Sequence, residues 1–426
     1  MSATIAGDRR GWAPGWTENL GRATGGRKPK ANRGLTSQGR DRTGPGYKLY
    51  FFNASRKLQI RKSIQSLGKR AGSDCCDVRV STNGISKWPM AARIIMGLIL
   101  LGAVSTASAQ TIKLATIAPE GSSWMDAMRA GAAEIDKRTA GRVKFKFYGG
   151  GVQGNDRQVL RKIRIGQLHG GAFTANGLID VQKDSQLYAL PMLFNNLEEV
   201  QFVRTRMDAK LRDLIEQAGY VNFGFAGGGF ARLMSNKPIA NLKDLQGKKV
   251  WIPDGDRFAY EASKALGISP VLMPLTDVMT GLQTELIDTI MSPPAATIIL
   301  QWNTKVSYIT ELPVSYIFAM IAIDKKYFDR IQTADQAIVR EVMEKIYQAF
   351  DHQGNEDNQK AYKALIDNGM KPVTPDQGQV PEWRKAVQAS NRRLAEEGAI
   401  DISLLDELDC YLDSFRTGDT TKICTQ

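Results

Sequence analysis

The sequence predicts an α/β protein, because short apolar strands alternate with amphipathic helices along most of the chain. The clearest stretch covers residues 241–294, where three strands and two helices follow one another as a βαβαβ unit. Strands and helices also alternate from Ile112 to Ala226, and one long helical pattern begins at Thr333 and ends at Gly369. A βαβαβ unit places loop residues at the carboxyl ends of parallel strands, where open α/β sheets bind small ligands.

The positive charge of the chain is concentrated before residue 110. The 426 residues include 57 Lys and Arg against 44 Asp and Glu, a formal charge of +13. Nineteen of those basic and five of those acidic residues precede Gln110, which leaves 38 basic and 39 acidic residues in the remainder. The basicity therefore belongs to the leader and gives no reason to expect a nucleic-acid partner.

The leader divides into two segments. Residues 1–89 are rich in Arg, Gly, Ser and Thr and have no sustained apolar period, which is typical of a disordered segment. Residues 90–109 have the pattern of a secretory signal peptide, since Arg93 precedes a short apolar run that ends in Ala107-Ser108-Ala109. We expect translation to begin at Met90 and residues 1–89 to be an artefact of an upstream start; a true basic extension is the alternative. The apolar run has about half the length that a stable membrane-spanning helix needs.

Four cysteines and two histidines give no metal-site pattern. Cys75 and Cys76 lie in the leader, whereas Cys410 and Cys424 belong to the exported part of the chain, where disulfides persist. The last two can close a short carboxy-terminal loop, although the sequence does not fix their geometry. We expect no metal and no cofactor.

The exported part begins with two strands and two helices. An alternating strand over residues 112–117 runs into a Pro-Glu-Gly turn, and Ser122 or Ser123 can cap a helix that ends at Gly141. Residues 142–148 form the second strand, and the glycine-rich turn GGGVQGND leads into the second helix. Because this turn lacks the Lys-Ser/Thr of a P-loop and does not match GxGxxG, we expect a plain strand-to-helix turn without a nucleotide.

The following segments extend the same alternation. A strand around residues 171–173 ends in Thr174, a long amphipathic pattern over residues 197–218 predicts a helix, and residues 220–226 predict a strand.

Within the βαβαβ unit, strand 250–252 is stopped by Pro253. A second strand runs into Pro274, a helix opens at Thr276, and residues 289–292 form the third strand.

Two motifs of this unit resemble signatures of the TRAP-type solute-binding proteins, the DctP family of periplasmic receptors. DLQGKKVWIP is similar to the family's DLKGLKxRxP. MPLTDVMTGLQTELIDTIMSPP is similar to its second signature, a proline-led strand, an xEVYxALQxGxVDG helix and a ligand-facing loop. Two signatures in register are far more specific than one glycine motif, and the resemblance extends from about Ile112 to Phe350.

The resemblance implies a two-lobed periplasmic-binding-protein fold, in which crossing strands join the lobes and a hinge closes them around a ligand. We expect lobe 1 to comprise residues 110–230 with 318–332, and lobe 2 to comprise residues 231–317. The chain is expected to cross between them in GGGFARLMSNKPI. Residues 333–371 are expected to form a long helix that braces both lobes, and residues 372–426 a helical tail.

The function that the resemblance implies is that of a receptor. Such a protein captures a small-molecule solute in the periplasm and delivers it to a TRAP-type membrane permease, without itself spanning the membrane. The chain has no GxSxG, HExxH or kinase motif, so we expect no enzyme. A drug-efflux component is an alternative, but it would need membrane spans or a long coiled coil, and neither pattern is visible.

The resemblance also bears on the solute, because many family members hold its carboxylate with the Arg of DLKGLKxRxP in a bidentate salt bridge. Trp251 occupies that position here, and Met291-Ser292-Pro293 replaces the family's ENP. An upstream family Arg aligns with Phe230 or Ala231, while Arg232 stands one or two positions away and can face either side of its strand.

These substitutions favour an aromatic, polarisable wall over a cationic one. We therefore predict a mainly apolar or aromatic solute, such as a monocarboxylate or a lipid-like molecule, with a classical C4-dicarboxylate receptor as the alternative. For each aromatic residue, ordinary core packing is an alternative role. Asp254 and Asp256 can bind a hydroxyl, an amine or a cation, or remain solvated. The predicted ligand-binding residues are Glu120, Trp124, Phe173, Thr174, Phe230, Arg232, Trp251, Asp254, Met291, Ser292 and Tyr316.

Overall fold

The computed structural model describes residues 109–419 and 421–424, so the predicted disordered leader and all but the last residue of the predicted signal peptide lie outside it. The strands are β1 (Gln110–Ala115), β2 (Val143–Tyr148), β3 (Gly170–Thr174), β4 (Tyr220–Asn222), β5 (Ala226–Ser235), β6 (Trp251–Pro253), β7 (Val271–Met273), β8 (Thr289–Ser292), β9 (Tyr308–Thr310), β10 (Ser315–Asp324) and β11 (Lys371–Val373). The helices are α1 (Ser123–Arg138), α2 (Asp156–Arg164), α3 (Leu197–Gln217), α4 (Leu242–Leu245), α5 (Arg257–Ala265), α6 (Val278–Gln283), α7 (Pro294–Ile299), α8 (Lys325–Phe328), α9 (Thr333–Asp367), α10 (Val380–Glu396) and α11 (Ile402–Thr417).

A mixed sheet connects most of these strands in the order β11-β9-β5-β10-β3-β1-β2, with β4 on β10 and β8 on β5. β1 is parallel to β2 and β3, whereas β10 is antiparallel to β3, β4 and β5. β6 and β7 form a separate parallel pair, and Val250 bridges in parallel to Thr289. The parallel βαβαβ unit predicted for residues 241–294 is therefore present.

Several predicted element boundaries differ from the structure. Strand β6 includes Pro253, which was predicted to stop it, and the helix predicted over residues 333–371 ends at Asp367, before β11. β1 ends at Ala115 instead of residue 117, because the Thr116 hydroxyl accepts a hydrogen bond from the Ala118 amide (3.1 Å) and turns the chain. The predicted strand over residues 220–226 is broken after Asn222, whose side chain accepts from the Gly224 amide (2.8 Å). The predicted helix at Thr276 begins with a 3₁₀ turn, and α6 follows it.

Strand β5 carries the chain between the two parts of the sheet. Its residues 226–231 pair with β10, and its residues 232–235 pair with β8 and β9. The register against β10 shifts between Ile317 and Phe318, opposite the glycines at the start of β5. Strand β5 thus contains residues 227–235 of the expected crossing segment, and residues 236–239 follow it outside the strand.

Helix α9 contacts this strand at a point where a glycine of the helix lies against a glycine of the strand. A Cβ atom added at Gly354 would lie 2.1 Å from the carbonyl oxygen of Gly227, so no larger residue fits there without movement. The Asn358 side chain donates to the Gly228 carbonyl (2.6 Å) and accepts from the Ala295 amide at the start of α7 (3.1 Å). Helix α9 is therefore bound to the crossing strand and to a helix of lobe 2.

A buried arginine links the same helix to α3. Arg204 forms ion pairs with Asp208 (2.9 Å) and with Asp351 of α9 (2.5 Å), and it donates to the Tyr316 hydroxyl of β10 (3.2 Å). Asp351 also accepts from the Gly227 amide (3.1 Å). Arg204 is buried while both aspartates are partly exposed, so removing one aspartate leaves Arg204 with fewer acceptors and is expected to destabilise the protein.

The tail consists of two helices that reach different parts of the molecule. Trp383 and Val387 of α10 pack into an apolar cluster with Ala262 of α5 in lobe 2. On the lobe 1 side, Asn391 donates to the Pro191 carbonyl (2.9 Å), and Arg384 donates to the Met192 carbonyl (2.6 Å). Helix α10 therefore contacts both lobes.

The second helix of the tail, α11, packs on α3 in lobe 1. Arg416 of α11 contacts Glu199 through two hydrogen bonds of 2.9 Å each. Cys410 and Cys424, whose pairing the sequence left open, form a disulfide with a Cα separation of 5.7 Å.

The glycine contact between α9 and β5 predicts that Gly354→Ala destabilises the protein. An alanine inside a helix normally gains about 1 kcal/mol over glycine, but here its methyl group would collide with a backbone oxygen. We expect a net loss of about 1–3 kcal/mol in the free energy of unfolding, measured by denaturant titration. Gln353→Ala, at the neighbouring exposed position, is the control and should change that free energy by less than about 0.5 kcal/mol. A Gly354→Ala variant more stable than the wild type would contradict this interpretation.

Candidate functional site

A small cavity lies near the carboxyl end of β1, beside β3. The centre of a water molecule can occupy about 10 Å³ of it, so the cavity has room for about one water molecule. It is lined by Ala115, Thr116, Ile117, Gly151, Gln153, Gly154, Asp156, Val159 and Ala172. Most of this surface is apolar or backbone, and no Lys or Arg contributes to it.

The glycine-rich turn before α2 forms one wall of the cavity. The amides of Gly150 and Gly151 donate to the carbonyls of Ala118 (2.9 Å) and Thr116 (3.0 Å), which brings the turn back over the end of β1. Gly151 adopts a φ of 70°, a left-handed conformation that glycine permits without strain. Asn155 then caps α2 in a reciprocal capping box with Gln158. The sequence predicted this turn but gave no sign that it lines a site.

Asp156, the first residue of α2, places a half-buried carboxyl in the cavity wall. Within the described part of the chain, no side chain or amide pairs with this carboxyl, and burial raises its pKa to about 6. Gly177 lies against it, since a Cβ atom at that position would be 2.8 Å from Asp156 Oδ2. A desolvated carboxyl without a partner, beside a cavity, is a typical feature of a binding site. Sequence analysis missed Asp156, and its position after a glycine turn at the carboxyl end of β2 was the available signal.

Lobe 2 touches lobe 1 beside this cavity. Arg157, the neighbour of Asp156, donates to Asp254 (3.1 Å). The Asn176 amide donates to Asp256 (2.6 Å), which also caps α5 by accepting from the Ala259 amide (2.9 Å). Both aspartates, considered as solute ligands from the sequence, are therefore paired with groups of lobe 1.

The aromatic residues predicted to line the pocket divide between the cores of the lobes. Phe173 and Tyr316 are buried in the main cluster of lobe 1, and Phe230 packs half-buried against it with its ring 5.7 Å from that of Tyr316. Phe258 of α5 in lobe 2 is buried in the same cluster. The sequence gave no indication of this contribution from Phe258.

Trp251 lies in the core of lobe 2, with 3% of its surface exposed. Its indole N–H donates to the Met273 carbonyl (3.0 Å), and its ring is 5.5 Å from that of Trp302. Met291 packs against a different cluster, which includes Leu233. Of the residues predicted to form the aromatic wall, Phe173, Phe230 and Tyr316 thus belong to one cluster, Trp251 to a second and Met291 to a third. Each large side chain buries its surface in the nearest core.

Two of the predicted residues near the end of β1, Glu120 and Trp124, contact other side chains of the protein. Glu120 forms an exposed ion pair with Arg129 (2.7 Å). Trp124 is half-buried and stacks on Phe350 of α9, with 6.1 Å between ring centroids.

The remaining predicted residues lie on strands. The guanidinium of Arg232 stands over the Tyr362 ring of α9 at 5.1 Å. Ser292 is buried and donates to the Pro293 carbonyl (3.2 Å). Thr174 is half-buried at the end of β3, two residues after the cavity-lining Ala172. None of the eleven predicted residues lines the cavity itself.

The described residues contain no candidate metal site and no candidate membrane-spanning helix. No group of three or more His, Cys, Asp or Glu side chains in that part of the chain is placed to hold a metal ion. None of its helices combines the length and apolarity that crossing a membrane requires.

Because Arg157 and Asn176 form contacts between the lobes, we predict that the lobes separate more readily when both residues are replaced by alanine. Each contact is partly exposed and is worth about 1 kcal/mol or less, so the double variant should shift the closed-to-open ratio severalfold. X-ray scattering should show a larger radius of gyration for the double variant. Arg129→Ala, which removes an exposed ion pair within lobe 1, is the control and should leave the radius unchanged. An unchanged radius in the double variant would show that other contacts hold the lobes together.

Comparison with known proteins places this architecture in a family. The DctP model, described as bacterial extracellular solute-binding protein, family 7, matches residues 114–397. The protein YiiZ of Salmonella typhimurium is 24% identical over 168 residues, which are 38% of this chain and only 50% of YiiZ. The C4-dicarboxylate-binding periplasmic protein DctP of Rhodobacter capsulatus is 24% identical over 246 residues, 56% of this chain and 73% of that protein.

Solved structures confirm the predicted fold class. A TRAP periplasmic solute binding protein from Xanthobacter autotrophicus Py2, with bound β-D-galacturonate, matches with a TM-score of 0.65 and 19% identity. The match covers 71% of this chain and 99% of that one, so the two share the two-lobed α/β fold. With two thirds of its length matched by the family model, the chain belongs to the DctP family of bacterial extracellular solute-binding proteins.

Proposed function

We propose that this protein is an extracytoplasmic receptor that captures a small organic acid with a mainly apolar body between its lobes and delivers it to a TRAP-type membrane permease. The observation that carries the proposal is the family match over residues 114–397, together with the carboxyl edge of the lobe 1 sheet, where Asp254 and Asp256 of lobe 2 accept hydrogen bonds from Arg157 and Asn176 of lobe 1. Sites at this edge are where open α/β sheets bind ligands. The solute leaves unchanged, since the function requires only capture and release.

The cavity has room for about one water molecule and does not enclose a solute, but its walls show the surface that lobe 1 offers at this edge. Ala115, Ile117, Val159 and Ala172 supply carbon surface there, and no cationic side chain is among the lining residues. Trp251 stands where the resembling proteins carry a carboxylate-binding Arg, and its N–H is already used by the Met273 carbonyl. A site without a guanidinium fork holds a solute through apolar contact more than through charge.

The second candidate is a C4-dicarboxylate receptor, which the relative from Rhodobacter capsulatus favours by its name. The galacturonate complex of the Xanthobacter protein also concerns a carboxylate. Both observations concern other proteins, at 24% and 19% identity. The absence of a cationic residue from the cavity lining argues for the first candidate.

Export to the periplasm belongs to the same proposal. The signal peptide predicted over residues 90–109 supports it, although all but its last residue lies outside the described part of the chain. The disulfide between Cys410 and Cys424 supports it as well, because disulfides persist in oxidising compartments.

A thermal-shift screen of the mature chain tests the solute class. The probes are succinate, malate, D-galacturonate, hexanoate, phenylacetate and 4-hydroxyphenylacetate. We expect at least one of the last three to raise the melting temperature, because a ligand at a hundred times its Kd stabilises the folded state by about 2.7 kcal/mol. Stabilisation by succinate or malate and by none of the last three would favour the dicarboxylate receptor instead.

A further inference from the structure

Lobe 1 has a surface on which basic side chains of two strands and one helix lie together. We propose that this surface binds anionic lipid headgroups, so that the receptor collects at the membrane that would hold its permease. The inference goes beyond the receptor function proposed above, because the lipid contact itself depends on neither the solute nor the permease.

The charge of the exported part of the chain is unevenly distributed. Residues 143–174, which extend from β2 to the end of β3, include six basic residues and one acidic residue, Asp156, whose carboxyl lies in the cavity wall. The rest of the exported part holds the other 32 of its 38 basic residues and the other 38 of its 39 acidic residues. One positive segment therefore stands out on a chain that is otherwise negative.

The register of β1 and β2 brings three lysines to one face of the sheet. Lys113 pairs with Lys146, and Lys144 faces the same side because side chains two residues apart on a strand do so. Ala115 of β1 also faces this side and is buried with Val159 of helix α2 in the main cluster of lobe 1. Strand β2 ends the sheet, and its two lysines are exposed on the face that α2 partly covers.

Helix α2 adds two arginines to the lysines. It buries Val159, Leu160 and Ile163 against lobe 1, whereas Arg161 and Arg164, three residues apart, are exposed. We call the following five residues the basic face: Lys113, Lys144, Lys146, Arg161 and Arg164. Among the residues that the structure describes, no carboxylate forms an ion pair with any of the five. Their charges are therefore available to an external anion.

Exposed apolar side chains lie at both ends of α2. The described part of the chain exposes five large apolar side chains, and two of them flank this helix: Val152 before it (71% exposed) and Ile165 after it (62% exposed). Helix α2 has nine residues, which corresponds to a length of about 14 Å. Cations combined with exposed apolar side chains are typical of surfaces that lie on anionic bilayers.

Two other roles account for only part of this surface. Lysines on an end strand prevent pairing with other chains, which explains Lys144 and Lys146 but not the arginines of α2. An acidic protein segment would pair with the cations and give no role to Val152 and Ile165. A bilayer surface takes both, because its headgroups are anionic and its interface accepts apolar side chains.

Sedimentation with lipid vesicles tests the proposal on the mature chain. The vesicles consist of phosphatidylcholine, alone or with about 30 mol% phosphatidylglycerol, at about 0.05 M and 0.5 M salt. We expect binding only to the vesicles that contain phosphatidylglycerol. Binding should be at least about tenfold weaker at the higher salt concentration, because salt screens exposed charges.

A triple variant removes charge from the basic face: Lys144→Gln, Arg161→Gln and Arg164→Gln. Each Lys or Arg near an anionic bilayer strengthens binding about fivefold. We therefore expect the triple variant to bind the phosphatidylglycerol vesicles at least about tenfold more weakly than the wild type.

A matched control removes the same charge from exposed positions of lobe 2 and of helices α9 and α10: Lys243→Gln, Lys363→Gln and Lys385→Gln. Its binding should stay within about twofold of the wild type, because those residues lie outside the basic face. An equal loss in both triple variants would overturn the proposal, since net charge and not this face would then determine binding.

The apolar part of the surface is tested by Val152→Ser with Ile165→Ser. This variant should bind the phosphatidylglycerol vesicles severalfold more weakly and keep its dependence on salt, because the cations remain. Full retention of vesicle binding by the serine variant would contradict insertion into the bilayer surface.

Soluble polyglutamate distinguishes lipid from an acidic protein segment. Binding of the wild type to polyglutamate without binding to any vesicle would overturn the assignment to lipid, and so would failure to bind either probe. Circular dichroism checks that the variants fold. Should the triple variant not fold, the lipid and salt dependence of the wild type and the serine variant decide the question. The solute screen described above is a separate measurement, so either proposal can fail while the other stands.

Discussion

The architecture depends on the close approach of helix α9 to strand β5. The strand joins the two parts of the sheet, and the helix lies against it where Gly354 meets Gly227 and where Asn358 bonds both the strand and the start of α7. This approach requires glycine on the helix, since a methyl group at Gly354 would collide with the strand backbone, while a Cβ at Gly227 would meet the side chains of Tyr316 and Asp351. The ion pairs of Arg204 reinforce the same junction from α3. Helix α9 therefore holds the strand that joins the two parts of the sheet and the start of α7 together.

Much of the fold could be predicted from the sequence, because its strands and helices have strong periodicity and clear stop signals. The βαβαβ unit and the start of the long helix at Thr333 lie where the pattern placed them, whereas that helix ends at Asp367 and not at residue 371. The ends of β1 and β4 were wrong, since side chains of Thr116 and Asn222 bond nearby backbone groups and turn the chain. Such local competition with strand pairing has no signature in the apolar period.

The candidate site was harder to predict, for two physical reasons. The direction of a side chain depends on what packs above its strand, and the core position of Trp251 is set by Trp302 and Met273, which lie far along the chain. The cavity is formed by the end of β1 and a glycine turn that tertiary hydrogen bonds bring together. Asp156 follows this turn and looks like an ordinary first-turn acidic residue of a helix. Its distinguishing property is that it pairs with none of the residues that the structure describes, which the sequence does not show.

Helix α10 has a consequence for how far the molecule can open. One of its faces is packed on α5 of lobe 2 through Trp383, and its later residues bond the Pro191 carbonyl of lobe 1. If one lobe rotated away from the other, α10 would have to slide along one of these two surfaces. The contacts of α10 therefore limit how far the lobes can separate. The disulfide between Cys410 and Cys424 ties residue 424 back to α11, and a reducing environment would remove this link while leaving the Arg416–Glu199 contact of α11 with lobe 1.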